Sequence, residues 1–305
     1  MSRGLGDVYK RQVVGNGDYR RMVTQLIEPE HLNPATRKWA EEARMTLGLV
    51  CVYVAVSKEM PGPNTNYFTL PDFRTDEMYE ELDTGKVRDG DLPIYIAMAS
   101  RKDPGNEELC PPGHTNFQIM SLAPRGYDYW GVETGPADGG KYRRDEVYRQ
   151  RKQEITDRMV DAAETVLGPF RDDIVHLETA TTVTHERYIR SSEGTSYGYM
   201  HSPEQSGMNR PQLKTEIDGL WIVGANSSAG HGIGGALTGG VFCAGEILDR
   251  PLIAEIALGE QLVDPGDIPP DPQHFDPLEY ARGATLREKR AARAESQRAR
   301  RVATR

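Results

Sequence analysis

Residues 219–248 read GLWIVGANSSAGHGIGGALTGGVFCAGEIL, and the fold turns on how that stretch is parsed. Leu220–Gly224 is an apolar, β-branched run, which marks a strand. A loop of glycine, serine and alanine follows, and 234–248 carries a helix. Gly230, Gly232 and Gly235 satisfy G-x-G-x-x-G, the dinucleotide fingerprint. Taken literally, Glu255, twenty residues after Gly235, is the ribose-binding acid. Three features oppose that reading. The first glycine of the fingerprint closes the turn directly after its strand, whereas here Asn226–Ala229 intervene. Proline-rich sequence after Glu255 leaves no room for further strands, and nothing before residue 219 has a βαβ rhythm. A plain structural turn is the other alternative. The helix itself argues for a ligand. Gly234, Gly235, Gly239, Gly240 and Gly245 lie in it or at its start, and each interior glycine costs ~1 kcal/mol against alanine. Close approach of a flat partner to the backbone is the usual compensation. Bare N–H groups at Gly232, Gly234 and Gly235, with the helix dipole behind them, favour an anion or developing negative charge.

Working outward, a helix is expected at 34–45, capped by Asn33 with Pro34 in its first turn. Leu47–Val56 (LGLVCVYVAV) reads as a buried strand. Pro61-Gly62-Pro63-Asn64 breaks into a loop, and short strands are expected at 66–70, 94–99 and 116–122. RKDPGNEELCPPGH (101–114) reads as a loop, and DEMYEELD (76–83) as a solvated helix face rather than a metal site. The clearest helix is 145–167, with Tyr148, Ile155, Met159, Ala162 and Val166 on one face and Gly168-Pro169 as its stop. A strand is expected at 174–183, then a Gly/Ser/Tyr-rich loop at 191–211. This order gives an α+β region with a largely antiparallel sheet before the α/β unit at 219–248.

The 305 residues suffice for one large or two ordinary domains. No apolar run nears the ~20 residues of a membrane helix, and residues 1–12 have no signal-peptide core. Cys51, Cys110 and Cys243 are far apart and odd in number, which points to a reducing, cytoplasmic setting and offers no zinc spacing. The net charge of −9 is uneven: residues 281–305 hold nine Lys/Arg against Glu288 and Glu295, leaving −16 on the other 280 residues. An acidic body excludes nucleic acid as the main partner. The basic tail is either a solvated segment or a peripheral contact with anionic lipid. MSRGLGDVYKRQ (1–12) lacks periodicity and reads as a non-native lead resembling adapter-derived translation, the alternative being a frayed native terminus.

TEIDGLWIVGANSSAGHGIGGALTGG resembles the C-terminal FAD-closing motif of the phytoene desaturase-like flavoproteins, the family of carotenoid desaturases, carotenoid isomerases and retinol saturases. GTSYGYMHSPEQSGMNRPQLKT resembles the family's stretch before that motif, VVGNGD (13–18) its VVSNAD strand, and LVCVYVAVSKEMPG its substrate-domain strand. The resemblance covers about residues 13–258. It implies the C-terminal portion of a two-domain, Rossmann-like flavoprotein with a mixed-sheet substrate domain, the N-terminal G-x-G-x-x-G unit being absent. It divides the chain into the end of an FAD-domain segment (13–33), a substrate domain (34–190), an FAD-closing segment (191–258), a Pro-rich linker (259–280) and the basic tail (281–305).

The family further implies FAD as cofactor and Gly224, Ala225, Asn226, Gly230, Gly232, Ile233, Gly234 and Gly235 as its contacts. Many relatives carry Asp directly after the first of these glycines; here Ala225 and Asn226 follow, and which side chain replaces the acid stays open. His231 is either a proton donor over the flavin or a loop histidine bonded to backbone. Tyr197, Tyr199 and His201 either line a substrate tunnel or pack between domains. Arg210 either binds cofactor or anchors the loop through a salt bridge. His114, His176 and His185 read as structural or surface residues. The implied reaction is hydride transfer between a C–C bond of a lipophilic polyene or isoprenoid and flavin N5, or isomerisation through reduced flavin. Two rivals remain: an amine-oxidase-like flavoenzyme on a polar substrate, and a non-catalytic pseudo-enzyme that binds a partner or lipid.

Overall fold

The computed structural model describes residues 12–60, 62, 64–133, 135, 141–264 and 266. Its strands are β1 (Val13–Gly15), β2 (Leu49–Val56), β3 (Asn66–Thr69), β4 (Ile94–Ala97), β5 (Thr115–Leu122), β6 (Ile174–Ala180) and β7 (Leu220–Ile222). The α-helices are α1 (Tyr19–Arg21), α2 (Pro34–Glu42), α3 (Thr75–Asp83), α4 (Ala99–Lys102), α5 (Glu146–Leu167), α6 (Thr182–Ile189), α7 (Gly232–Leu248) and α8 (Leu252–Ala257). The chain forms one compact unit up to Leu252 and a second from Ile253. The lead before Gln12, the linker beyond Gly266 and the basic tail lie outside the described residues.

Five strands make one sheet in the order β3-β4-β5-β2-β6, and every pairing in it is antiparallel. The mixed substrate sheet is therefore corrected: parallel pairing is confined to a separate two-stranded sheet, β1 with β7. β2 lies inside the sheet, paired along both edges, and its apolar run buries one face completely. Val50, Val52, Val54 and Val56 pack in one core with Ile155, Met159 and Val160 of α5. Gly168 ends α5 at φ +76, as the sequence predicted, and Asp145 caps its start by accepting from Tyr148 N. The other sheet face is open. Phe68, Tyr95, Met120, Cys51 and Ala180 stand in one cross-strand row on it.

The expected strand 174–183 ends at Ala180. Thr181 and Thr184 exchange side-chain-to-backbone bonds as a capping box, and α6 begins there despite its β-branched start. The strand expected at 94–99 stops at Ala97, with α4 taking up Ala99–Lys102 and so the first residues of the expected loop.

β1 and β7 pair across some two hundred residues, Val13 with Leu220 and Gly15 with Ile222. Behind them Tyr19, Val23, Ala40, Met45, Tyr199 and Ile222 form a second core. An ion-pair chain joins this part to the antiparallel sheet. Glu193 takes Arg20 at 2.6 Å and Arg125 at 2.9 Å, and Arg125 reaches Asp83 at 2.7 Å. Glu193 holds φ +58 to make both contacts, a conformation a non-glycine residue keeps only under surrounding constraint.

Candidate functional site: the glycine end of α7 and the open sheet face

β7 ends at Ile222 and the chain turns through Gly224, Gly230 and Gly232, all at positive φ, before α7 rises. The glycines of α7 sort into two kinds. A Cβ at Gly235 would lie 2.9 Å from the Ala229 carbonyl oxygen, and one at Gly239 would lie 3.0 Å from the Ala229 Cβ. These two let helix and loop pack closely. Added Cβ atoms at Gly232, Gly234 and Gly240 would meet nothing within 4 Å, and Ile233 is 83% exposed. His231 stands at the N-cap without a side-chain capping bond, so the first N–H groups of α7 have no side-chain acceptor there.

Arg210 is buried and donates to the carbonyls of Tyr199, Met200, Gln205, Ala225 and Ser227 at 2.9–3.3 Å. Of its two readings it takes the loop anchor, made through main-chain oxygens rather than a salt bridge. Asn226 is an expected cofactor contact. It is buried, and its Oδ1 accepts from Tyr199 N at 3.3 Å against Gly198. Tyr199, expected on a substrate path, is wholly buried beside Trp39 and Tyr19 and donates to Ala40 O at 2.8 Å. Burial pushes its hydroxyl well above the usual phenol range.

Tyr197, His231 and His201 do come together. The His231 ring lies 4.7 Å from Tyr197, tilted by 36°, and 4.7 Å from His201, nearly edge-on at 86°. Partial burial and the Arg210 charge lower both imidazoles below the usual histidine range. Tyr197 also lines a groove of about 600 Å³ on the open sheet face, with Leu49, Phe68, Tyr95, Met120 and Leu122. A second hollow shares Tyr197, Leu49 and Leu122 and runs on to Arg44 and Asp83. Apart from Tyr197, the groove residues escaped the sequence reading. Their only signal was that the faces of β2, β4 and β5 turned away from α5 are also rich in apolar side chains. Buried Glu186 was missed too. It takes Arg21 at 2.6 Å and the Tyr127 hydroxyl at 2.5 Å.

His114 accompanies the Pro112 carbonyl at 3.0 Å and His176 is exposed on β6. Among the described residues no group of His, Cys, Asp and Glu could hold a metal ion, and all three cysteines are free thiols. No helix among them is long and apolar enough to cross a membrane.

No family model matches the chain. All-trans-retinol 13,14-reductase of Danio rerio is 29% identical over 198 residues, covering 62% of this chain and 31% of that protein. Chloroplastic prolycopene isomerase 2 of an Oncidium hybrid cultivar is 29% identical over 153 residues, covering 50% of this chain and 23% of that protein. The crystal structure of an oxidoreductase from Methanosarcina mazei aligns at a TM-score of 0.45 and 13% identity, over 78% of this chain and 43% of that one. By class, then, the chain is a relative of retinoid- and carotenoid-converting enzymes, the kind the phytoene desaturase-like resemblance named. Its particular relatives are retinol 13,14-reductases and prolycopene isomerases, and it spans a third or less of the two compared here.

Proposed function

We propose that this chain is the C-terminal part of an FAD-dependent oxidoreductase that exchanges hydride between a C–C bond of a lipophilic polyene and the flavin. One meeting point carries the reading. Tyr197 lines the apolar groove, and its ring lies 4.7 Å from His231, which opens the bare glycine end of α7. Substrate on the sheet and a flat cofactor at the helix end would share that point.

The residues fit a flavin ring. Gly232 and Gly234 leave room for a planar group, and the uncapped N-terminus offers N–H donors to an acceptor. Its dipole favours the negative charge that reduction brings. With Asn226 turned inward, polar contact to the ribityl chain falls to the backbone of Gly224. Flavin, when bound, supplies the hydride chemistry. The chain orients the substrate and keeps water from it. The β1–β7 pair supports a larger nucleotide domain around it. Parallel sheets are normally covered on both faces, yet Val13 and Val14 are half exposed. The apolar lining of the groove speaks against the polar-substrate rival.

The test is anaerobic titration of the complete gene product with FAD and all-trans-retinol, followed by flavin absorbance. One bound flavin and a spectral change with the polyene, absent with a polar amine, are expected. A complete product that holds no flavin sinks the proposal in favour of a binding protein. The 305-residue chain alone should hold FAD weakly, and stoichiometric flavin on it would count against the division of the site proposed here.

A further inference from the structure

At the mouth of α7 an imidazole is held where a capping side chain normally turns back on its helix. Ser, Thr, Asp and Asn dominate N-caps because their oxygens bond the first N–H groups. His231 makes no such bond. Its ring is instead placed by two others, Tyr197 tilted against one side and His201 edge-on to it. His201 in turn rests on Gly230, where an added Cβ would come within 3.2 Å of its Cε1. Glycine at 230 thus serves the ring cluster as well as the turn.

We propose that His231 is the proton carrier of the reaction, exchanging a proton with the carbon next to the one that exchanges hydride, and that Tyr197 and His201 position its ring. This rests on the reading of the site given above. In the saturating direction the His231 imidazolium gives its proton to one alkene carbon, while a hydride from the reduced flavin is delivered to the other. Two C–H bonds replace the π bond, leaving an oxidised flavin and a neutral His231 that water re-protonates at its exposed edge. Desaturation runs the same steps backwards.

The surroundings suit the role. Among the described residues neither imidazole has a carboxylate partner, and the groups that act on them are Arg210, Tyr197 and each other. An imidazolium with a lowered pKa is a stronger acid and its neutral form persists at neutral pH, so the proton moves easily in both directions. Tyr197 belongs both to this cluster and to the groove, which puts His231 beside whatever the groove holds.

Two experiments test it. In the first, the flavin-loaded complete product is carbethoxylated with diethyl pyrocarbonate, with and without saturating all-trans-retinol, and modified histidines are read by mass spectrometry. Retinol should slow modification of His231 several-fold and leave His176, exposed on β6, unchanged. Bound retinol with His231 unprotected overturns the inference. Retinol that fails to bind overturns the functional reading beneath it and so takes this inference with it. In the second, His231→Gln is placed in the flavin-loaded complete product. Flavin content and retinol affinity should hold while single-turnover reduction of retinol falls about 100-fold and loses its alkaline limb. A loss below about threefold with an unchanged pH profile overturns it. Tyr197→Ala should move the His231 titration seen by NMR, whereas Tyr197→Phe, which keeps the ring, should not.

Discussion

The two long helices of this molecule are built on opposite plans. α5 has 22 residues and nine charged side chains among them, yet it buries Tyr148, Ile155, Met159, Val160, Ala162 and Ala163. It has one face for the sheet and one for water. α7 has 17 residues and a single charge, Glu246, yet of its side chains only Cys243 is buried, with Gly239 and Gly245 beside it. Ile233, Leu237, Phe242 and Leu248 stand exposed along it. A helix apolar all round is normally enclosed all round. The contrast shows that α5 covers its own apolar face within this chain, whereas the exposed apolar side chains of α7 are enclosed by nothing among the described residues. We read that surface as the seat of the cofactor and the rest of its domain.

The largest expected effect lies on the α5 side. Trp130 is fully buried between Tyr129 and Tyr148. Trp130→Ala should cost about 3–5 kcal/mol in denaturant unfolding, because both transfer energy and a cavity are at stake. A cost under about 1 kcal/mol would show that the two helices do not differ as described. Next comes the anchor behind α7. Arg210→Met leaves five carbonyls without their donor, in a setting where one unsatisfied buried acceptor alone costs about 1–3 kcal/mol. We expect a loss of about 3 kcal/mol with the Tyr197–His231 contact disrupted, and partial recovery in Arg210→Lys.

The same contrast explains what the sequence disclosed. The antiparallel strands, α5 with its glycine stop, and the glycine turn into α7 were readable because each rests on local chemistry: β-branched runs, an apolar helical face, a Gly stop. α6 was not, because TTVT favours extension locally and only the Thr181–Thr184 reciprocal bonds redirect it. At the site, the glycines and the Tyr197–His201–His231 group were legible as residue types in one segment. Their division was not. Whether Tyr199 and Asn226 face a ligand or the core depends on Trp39 and Gly198, and whether Arg210 meets an acid or main-chain oxygens depends on how the loop folds around it. The groove depends on strand register across five strands, which no single segment carries.

A smaller effect sharpens the comparison most directly. Leu237 is 65% exposed on α7. In the chain as it stands, Leu237→Glu should change unfolding stability by less than about 0.5 kcal/mol, the ordinary cost of a surface substitution. In the complete product it should weaken flavin retention, since the proposed partner surface would then bury a carboxylate. Equal flavin content in wild type and variant would mean that this face of α7 meets water in the whole protein.

The smallest contrast appears with pH. Charges cluster around the sheet, while α7 carries one. Burial works against ionisation of Asp83, but Arg125 at 2.7 Å and a second ion pair to Arg44 outweigh it and hold the carboxyl below its usual range. A carboxyl depressed in the folded state adds stability above its unfolded pKa, near about 3.9, and that stability is lost as pH falls through the lower folded value. The pair is partly exposed, so its worth stays within about 1 kcal/mol. Asp83→Asn should therefore unfold more easily than wild type at neutral pH, and the two curves should converge in acid. High salt should narrow the gap at neutral pH as well, since solvent ions reach this pair. Curves that stay parallel from neutral pH down to acid would place the contribution of Asp83 in packing rather than charge, and Asp83 would then resemble the uncharged surface of α7 more than the ion-paired frame around the sheet.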